Sequence, residues 1–325
     1  MLLVGSDDGV YRATDAFGGG PSVEQVLDSG QAMRVESFDG VEGAFAATTT
    51  GLYHSPDGDE WTDLGVPTGE VYAVGASPDG DRLFTGTRPA RLYVADAGGL
   101  GSEPLDWVER ERFRALGERD DWGIDRHDGV AQVRDVHAFD DRLVVGAEVG
   151  GVYVGDRDEG WADRRIRGFD APHLDDIHHV AVVDHETFVA ATGSGLYRTT
   201  DAGRSWRRLD ADHPAWYFRE SYVDGEVVYA GGSTSAPSSW DEADHALFER
   251  PGDVTGAVDS PVPGEVAVGW TARDGDPVGV TDAGTLFVRI DGGWETVGTV
   301  PSADSVYGRC VPISWVETGA VSPRR

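Results

Sequence analysis

The stretch IHHVAVVDHETFVAATGSGLYRTTDAGRSWRRLD, residues 177–210, contains four short strand-like runs separated by Asp, Gly and Thr turn residues. Alternating and β-branched residues fill these runs, which is typical of half-buried strands. The third run begins with a small, an aliphatic and an aromatic residue, and related trios occur seven times along the chain. The copies are Gly9-Val10-Tyr11, Gly51-Leu52-Tyr53, Arg91-Leu92-Tyr93, Gly151-Val152-Tyr153, Gly195-Leu196-Tyr197, Ala246-Leu247-Phe248 and Thr285-Leu286-Phe287, with Arg91 and Thr285 replacing the small residue.

The spacing of the trios indicates a repeat protein. Their starts are separated by 42, 40, 60, 44, 51 and 39 residues, a period typical of propeller blades that each have four short strands. We therefore predict an all-β fold, a seven-bladed β-propeller that forms a single domain over residues 1–325. Because the chain begins with a run that matches a second strand and has a surplus run at residues 304–313, we expect the C-terminal segment to supply the innermost strand of the first blade.

The third spacing is the longest, and its excess lies in residues 97–132. An eighth blade would have to lie in this segment, which has no copy of the aromatic trio. We predict that it forms an extended outer strand followed by a long loop between blades.

The composition is strongly acidic. The chain has 58 acidic residues against 27 basic ones, every one of them arginine, and a formal net charge of -31. Binding to nucleic acid or to an anionic membrane needs a basic surface, so we expect neither. The Asp-rich, lysine-free usage resembles proteins of salt-in halophilic archaea, where molar salt screens such repulsion. With no secretion signal and no long apolar run, we expect a cytoplasmic, monomeric protein.

Residues 199–206, Thr-Thr-Asp-Ala-Gly-Arg-Ser-Trp, resemble the Asp-box (BNR repeat), a turn found in sialidase, sortilin, photosystem-assembly-factor and xyloglucanase propellers. Weaker copies occur at residues 55–61, 156–161 and 291–294. In that superfamily the turn is structural and lies on the face opposite the ligand site, so we give its residues no functional role. The resemblance implies a propeller but no catalytic motif. The Phe/Tyr-Arg-Ile-Pro segment of sialidases does not occur in this sequence, whose nearest string is RIRG at residues 165–168.

In a propeller, the loops before the innermost strands and those between the second and third strands surround one mouth of the central channel. Aligning the innermost strands predicts a polar ring at this mouth, with Ala267 as its small member: Arg34, Tyr72, Arg134, His178, Arg219 and Tyr307. Guanidinium groups match planar anions, so the ring predicts binding of a carboxylate or phosphate. The alternative is that each arginine pairs with an acidic neighbour, of which Glu36, Asp135 and Glu220 are the nearest.

The loops around this ring add further candidate ligand-binding residues, namely Trp122, Asp125, His127, His173, Trp216, Glu220 and Trp240. We expect the tryptophans to form apolar walls. The histidines His127, His173 and His178 are candidates for a metal site, but no HxH or HExxH spacing is present. We therefore assign neither a metal nor a cofactor.

Three functions are compatible with these observations. The leading one is a binding propeller that recognises an anionic small molecule or acidic peptide at the channel mouth. The first alternative is an exo-acting, sialidase-like glycoside hydrolase, which needs two carboxylates from the candidates Asp125, Asp175, Asp176, Glu220 and Asp241. The second is an intracellular assembly factor that binds a protein partner. The sequence contains no complete catalytic motif, so it leaves enzymatic activity open.

Overall fold

The computed structural model of the chain describes residues 1–18, 20–101, 104–120, 122, 128–156, 160–169, 176–251, 256–304 and 310–316. Strands of the first half are β1 (Leu2–Ser6), β2 (Gly9–Thr14), β3 (Ser22–Asp28), β4 (Ala32–Phe38), β5 (Val41–Thr48), β6 (Gly51–Ser55), β7 (Thr62–Asp63), β8 (Val71–Ala76), β9 (Arg82–Thr87), β10 (Leu92–Asp96), β11 (Val108–Glu109), β12 (Gln132–Ala138), β13 (Arg142–Glu148), β14 (Gly151–Asp156) and β15 (Trp161–Asp163). Strands of the second half are β16 (Ile177–Val182), β17 (Phe188–Thr192), β18 (Gly195–Thr199), β19 (Arg207–Arg208), β20 (Tyr217–Asp224), β21 (Val227–Ser233), β22 (His245–Pro251), β23 (Ala257–Val258), β24 (Ala267–Arg273), β25 (Asp276–Thr281), β26 (Thr285–Ile290), β27 (Gly293–Thr299) and β28 (Ile313–Trp315). Helix α1 spans Glu111–Asp120, and short 3-10 helices span Ala97–Gly99 and Pro237–Glu242.

The strands form seven antiparallel four-stranded sheets, which are the blades. Blade 1 combines β28 with β1–β3, and blades 2 to 7 each use four consecutive strands, from β4–β7 through to β24–β27. The first strands contact one another in a closed ring, in the order β4, β8, β12, β16, β20, β24, β28 and back to β4. The predicted seven-bladed propeller is therefore confirmed, with these seven strands innermost around the channel.

Both ends of the chain contribute to blade 1. Strand β28 pairs with β1, with Trp315 opposite Leu2 and Ile313 opposite Val4. The predicted closure by the C-terminal segment is correct, and the strand that provides it spans Ile313–Trp315. Pro312 immediately precedes the strand and has no N–H to donate, but its carbonyl oxygen accepts the N–H of Gly5 at 2.8 Å.

Aliphatic side chains fill the space between blades. Leu52 of blade 2 and Val71 and Leu83 of blade 3 belong to one fully buried cluster. Adjacent blades approach so closely that a Cβ on Gly75 in β8 would lie 2.3 Å from the carbonyl oxygen of Val136 in β12. Glycine at this position permits backbone-to-backbone packing of neighbouring innermost strands.

The connection between blades 3 and 4 contains a helix where we predicted only a loop. After the short outer strand β11 comes α1, in which Phe113 and Leu116, one turn apart, are buried. Phe113 packs against Trp122, with ring centroids 5.3 Å apart, and against Trp161 of blade 4 at 5.0 Å. The sequence ERFRALGERD offers so few apolar residues that its periodicity did not indicate a helix, and tertiary packing of two side chains stabilises it.

The turn at residues 199–206 is organised by hydrogen bonds around one carboxylate. Asp201 accepts from the Thr199 hydroxyl at 2.8 Å and from the Ser205 N–H at 2.9 Å and hydroxyl at 2.6 Å. These bonds, led by those from Ser205, lower the pKa of Asp201 to about 2. The Trp206 indole N–H donates to the carbonyl oxygen of Arg164, at 2.8 Å, in the preceding connection. The turn therefore joins two blades and has a structural role.

We expect Asp201→Ala to lower the free energy of unfolding by about 2 kcal/mol, because several hydrogen bonds to a charged acceptor are lost. Denaturant titration measures the change. Asp57→Ala is the matched control in the related turn at residues 55–61, where Asp57 is exposed and its bonds to Ser55 and Asp59 are longer, at 3.2 and 3.0 Å. A loss for Asp201→Ala no larger than that of the control would show that this turn is not a stabilising junction.

Candidate functional site

The innermost strands share a β-bulge near the end where they begin. In six of them the pairing register against the second strand skips a residue at this point. The skipped residues are Met33, Tyr72, Arg134, His178 and Val268, together with the pair Arg219 and Glu220 in blade 6. A bulge redirects side chains at a strand edge, so these residues form a ring at one mouth of the channel.

This register corrects the predicted ring at two positions. Met33 and Val268 occupy the bulge where the alignment had Arg34 and Ala267, and Arg34 lies one residue further along its strand. Strand β4 has a second register shift, between Glu36 and Phe38, which displaces residues that are counted back from its following turn. Tyr307, the sixth polar member predicted for the ring, lies outside the described residues.

Ring residues and their neighbours from blades 3 to 6 form a group that we call the mouth cluster: Tyr72, Arg134, Glu148, Asp176, His178, Tyr217 and Arg219. Its members come from β8, β12, the end of β13, the residue before β16, β16 and β20. Each of these side chains is buried or nearly so. The cluster contains two guanidinium groups and two carboxylates, so its formal charges balance when His178 is neutral.

Arginine contacts connect the cluster. Arg134 Nε lies 2.8 Å from Glu148 Oε2, and its guanidinium carbon lies 5.7 Å from the centroid of the Tyr72 ring. Arg219 donates to the Tyr217 hydroxyl at 3.4 Å. Burial raises the pKa of Tyr217 to about 12 against the opposing effect of Arg219, so Tyr217 stays a neutral phenol. The two arginines therefore lie among hydroxyl and carboxylate groups at the mouth.

His178 joins blades 5 and 6. Its Nδ1 lies 2.7 Å from the carbonyl oxygen of Phe218, and its Nε2 lies 3.7 Å from Asp176 Oδ2. Its ring also packs against Tyr217, with centroids 4.8 Å apart. Contacts on three sides hold the imidazole in one orientation.

Further along the same strands lies a second group, which we call the channel cluster: Arg34, Glu36, Asp135, His179 and Glu220. Arg34 Nη2 lies 3.3 Å from Asp135 Oδ1 and donates to the His178 carbonyl oxygen at 3.0 Å, while Arg34 Nη1 lies 3.9 Å from Glu220 Oε2. Arg34 thus contacts blades 4, 5 and 6 from blade 2, so its side chain lies across the channel. Its partners include acidic residues, as the structural alternative predicts, but they come from other blades and not from its own strand.

Burial shifts the pKa values of several groups in the channel cluster. Burial raises the pKa of Glu36 to about 7, although Arg34 opposes the shift. Burial, reinforced by Glu36 and Asp135, raises the pKa of Glu220 to about 8. Burial also lowers the pKa of His179 to about 3. For Arg34, burial opposes the charge, but Asp135 and Glu220 raise its pKa above the ordinary value. At neutral pH the cluster therefore contains a permanent cation at Arg34, a neutral imidazole at His179 and partly protonated carboxyl groups at Glu36 and Glu220.

Of the three tryptophans that we predicted as apolar walls, one is exposed and two are buried. Trp216 is 37% exposed, and its indole N–H donates to the Thr234 carbonyl oxygen at 2.7 Å. Trp240 is buried and packs on Tyr217, with centroids 6.0 Å apart. Trp122 is also buried, with its indole N–H 3.1 Å from the Tyr153 hydroxyl, and its ring packs against Phe113 of α1. Asp125, His127, His173 and Asp175 lie outside the described residues.

Glu148 and Tyr217 were not among the predicted site residues, and Asp176 was predicted only as one of several candidate carboxylates. Glu148 had a detectable signal, because it stands three residues before its trio, where Thr48 and Thr192 stand in blades 2 and 5. A glutamate that replaces threonine at the end of an apolar strand indicates a local change of environment. Tyr217 had no comparable signal.

Solved structures with low sequence identity share the fold. The structure of YCF48 bound to D1 peptide matches with a TM-score of 0.59 and 15% identity over 90% of this chain and 88% of that chain. The GH74 xyloglucanase from Xanthomonas campestris matches with a TM-score of 0.57 and 17% identity over 88% of this chain, which corresponds to 46% of the xyloglucanase. The WD40 propeller domain of Doa1 gives a TM-score of 0.53 and 14% identity, with 83% of each chain covered.

These likenesses show the fold alone. No protein-family model matches the sequence, and no curated protein does. Among the described residues, no helix is both long and apolar enough to cross a bilayer. A peptide-bound protein, a WD40 domain and a xyloglucanase all share this architecture, so function has to be argued from the mouth.

Proposed function

We propose that this chain is a binding propeller that recognises an anionic group at the channel mouth, presented by a small molecule or by an acidic peptide of a protein partner. The observation that carries the proposal is the placement of Arg134 and Arg219 in one cluster, next to the phenol groups of Tyr72 and Tyr217. Guanidinium forks and hydroxyls together match the geometry of a carboxylate or phosphate.

The contacts of Arg34 in the channel cluster explain why we propose the mouth, and not the interior of the channel, as the anion-binding site. Arg34 is engaged by Asp135, Glu220 and two backbone carbonyl oxygens, which leaves it committed to the fold. The recognition role predicted for three arginines therefore belongs to Arg134 and Arg219. Glu148 and Asp176 would balance their charges when no ligand is bound.

The exposed side chain of Trp216 favours a peptide as one form of the ligand. Trp216 presents an aromatic surface whose indole is anchored by a backbone hydrogen bond, and such rigid aromatic groups are enriched where proteins bind partners. A propeller of similar fold, YCF48, has been solved with D1 peptide bound. A peptide with an acidic terminus would place its carboxylate at the two arginines and a side chain on Trp216.

Titration calorimetry in molar NaCl tests the proposal, with citrate as one probe and an acidic peptide with a free C-terminal carboxylate as the other. We expect the wild-type protein to bind at least one probe. Arg134→Gln with Arg219→Gln should lower the affinity by about 10-fold or more, because two charge-assisted contacts are lost. Circular dichroism establishes that the variant is folded. If it is not, Arg219→Lys keeps the charge, loses the fork and should give a smaller loss.

Arg204→Gln with Arg207→Gln is the matched control, since it removes two exposed arginines from the region of the 199–206 turn. It should leave the affinity unchanged. Equal losses in both double variants would show a general charge effect and overturn the proposal. Unchanged binding after removal of Arg134 and Arg219 would do the same.

Glycoside hydrolysis is the alternative that the mouth geometry allows. Oxygen atoms of Glu148 and Asp176 lie within 4.8 Å of each other, comparable to the separation of about 5 Å in retaining glycosidases. Turnover of aryl glycosides or sialosides that disappears in Glu148→Gln would establish an enzyme and replace the binding-only proposal.

We also propose that the chain is related to the Asp-box propellers and is adapted to high salt. The hydrogen bonds around Asp201 and the link from Trp206 to the preceding blade support the first statement. The net charge of -31 with no lysine supports the second.

A further inference from the structure

We propose that Glu148, Asp176 and His178 bind a divalent transition-metal ion, for which Zn²⁺ is the best match. One potential ligand atom from each residue lies within 4.8 Å of the others, and all three residues are buried. They come from the end of β13, the residue before β16 and the bulge of β16, so the rigid innermost part of two adjacent blades holds them.

The tautomer of His178 gives the main argument. Nδ1 lies 2.7 Å from the Phe218 carbonyl oxygen, and a carbonyl oxygen only accepts, so Nδ1 carries the proton. The lone pair of a neutral ring is then on Nε2, 3.7 Å from Asp176 Oδ2, which is also an acceptor. Two acceptors that face each other repel, and a cation bound between His178 Nε2 and Asp176 Oδ2 would make this arrangement favourable. Metal-binding histidines commonly donate their other N–H to a carbonyl oxygen in this way.

The distances suit a tetrahedral ion. With bonds of about 2.1 Å, two ligand atoms of tetrahedral zinc lie about 3.4 Å apart, close to the 3.7 Å between His178 Nε2 and Asp176 Oδ2. A small inward movement of the third ligand, Glu148, would complete three-residue coordination. A set of one imidazole and two carboxylates favours Zn²⁺ over Mg²⁺ or Ca²⁺, which prefer oxygen ligands alone.

Outer contacts hold the third ligand. The Glu148 carboxylate receives a short hydrogen bond from Gln132 Nε2 and an ion pair from Arg134. Such outer partners orient metal-binding carboxylates. With three protein ligands, a fourth position stays open for water or an anion, and Arg134 and Arg219 lie in the same cluster. A bound metal ion would thus add positive charge to the mouth. Its binding does not require that the mouth also binds an anion.

Sequence spacing could not indicate this site. The metal candidates predicted from the sequence were His127, His173 and His178. Of these, His178 lies among the described residues, and the structure combines it with two carboxylates. Glu148 and Asp176 are 28 residues apart in the chain and meet because blades 4 and 5 are adjacent. No short motif links them.

The experiment uses full-length protein stripped with EDTA and titrated with Zn²⁺ against a chromophoric chelator. Molar NaCl and excess Mg²⁺ suppress weak binding to the acidic surface. We expect one Zn²⁺ per chain, and an affinity at least about 100-fold lower in His178→Gln, because a direct ligand is removed. His185→Gln, which changes an exposed histidine, is the matched control and should bind as the wild type does.

If His178→Gln does not fold, a second variant, Asp176→Asn, and the visible absorption spectrum of bound Co²⁺ test the same site. Asp176→Asn keeps the side-chain shape, and it should also weaken Zn²⁺ binding. Co²⁺ in the wild-type site should give the intense visible bands of four-coordinate cobalt, and they should be lost in Asp176→Asn. Wild-type protein that fails to bind Zn²⁺ in excess Mg²⁺, or variants that bind it equally well, would overturn the inference. No anion probe is present, so failure here is distinct from failure of the proposed function.

Discussion

Replacing Arg34 by methionine is expected to lower the free energy of unfolding by about 3–5 kcal/mol, the largest effect of any single substitution considered for this protein. Methionine keeps the apolar stem but removes the charge that faces Asp135 at 3.3 Å and Glu220 at 3.9 Å. Asp135 would retain the Val180 N–H at 2.9 Å but would lose its cation inside the channel. Guanidinium chloride unfolding, followed by tryptophan fluorescence, measures the difference.

Two further variants separate this explanation from a general effect of losing an arginine. Arg12→Met removes an arginine that pairs with the largely exposed carboxylates of Glu24 and Asp59, and it should cost less than about 1 kcal/mol. Arg34→Met combined with Asp135→Asn should recover part of the stability, because the uncompensated charge is gone. If Arg34→Met is as stable as Arg12→Met, then Arg34 does not hold the channel together.

The stability of the wild-type protein should fall as the pH rises from about 6.5 to about 9, by on the order of 3 kcal/mol from the channel cluster. The ordinary pKa of glutamate is 4.5, and burial raises it to about 7 for Glu36 and about 8 for Glu220. The folded state therefore binds more protons than the unfolded state within this range. The contribution of the two glutamates is complete below pH 4.5 and is lost as the pH rises through about 8.

The two buried histidines oppose this trend only at lower pH. Burial lowers the pKa of His137 and His179 below the ordinary value of 6.5, so below about pH 6.5 the unfolded state binds protons that the folded state does not, and this makes the stability rise with pH. Arg34 stays charged throughout. Above about pH 6.5 the histidines are neutral in both states, and the pH dependence of this cluster comes from the two glutamates.

Glu220→Gln tests the assignment, since glutamine can still accept the Trp270 N–H that Glu220 Oε1 accepts at 3.2 Å. Its unfolding free energy should vary less with pH than that of the wild type and should exceed it at high pH. Molar salt screens the surface repulsion that also changes with pH. Glu226→Gln, at an exposed position, is the matched control and should keep the wild-type slope. An unchanged slope in Glu220→Gln would falsify the assignment.

The architecture could be predicted because its signals are local and repeated. Each trio marks a third strand whose alternation reports which face is buried, and seven copies at similar spacing have few interpretations other than blades. Helix α1 was missed for the opposite reason. Its stability depends on the packing of Phe113 and Leu116 against Trp122 and Trp161, residues that no local periodicity connects to it.

The candidate site could be predicted only in part. Tyr72, Arg134, His178 and Arg219 occupy the bulges of their innermost strands, and they could be grouped from the sequence because the repeat phase locates the start of each innermost strand. The one-residue error at Arg34 arose from bulges, which add a residue without changing the pattern of apolar positions. Partners such as Asp135 for Arg34 could not be identified, since they come from blades that are distant in sequence.

The amino-acid sequence by itself determined the number of blades, the closure of blade 1 by the C-terminal segment and the strands that surround the channel. Strand alternation and turn chemistry act over a few residues, so each repeat carries this information alone. Only the tertiary structure decided which charges meet: Arg34 with Asp135 across the channel, and Glu148 with Asp176 and His178 at the mouth. Charge pairing depends on distances of a few ångströms between side chains of different blades, and these distances exist only once the ring has closed.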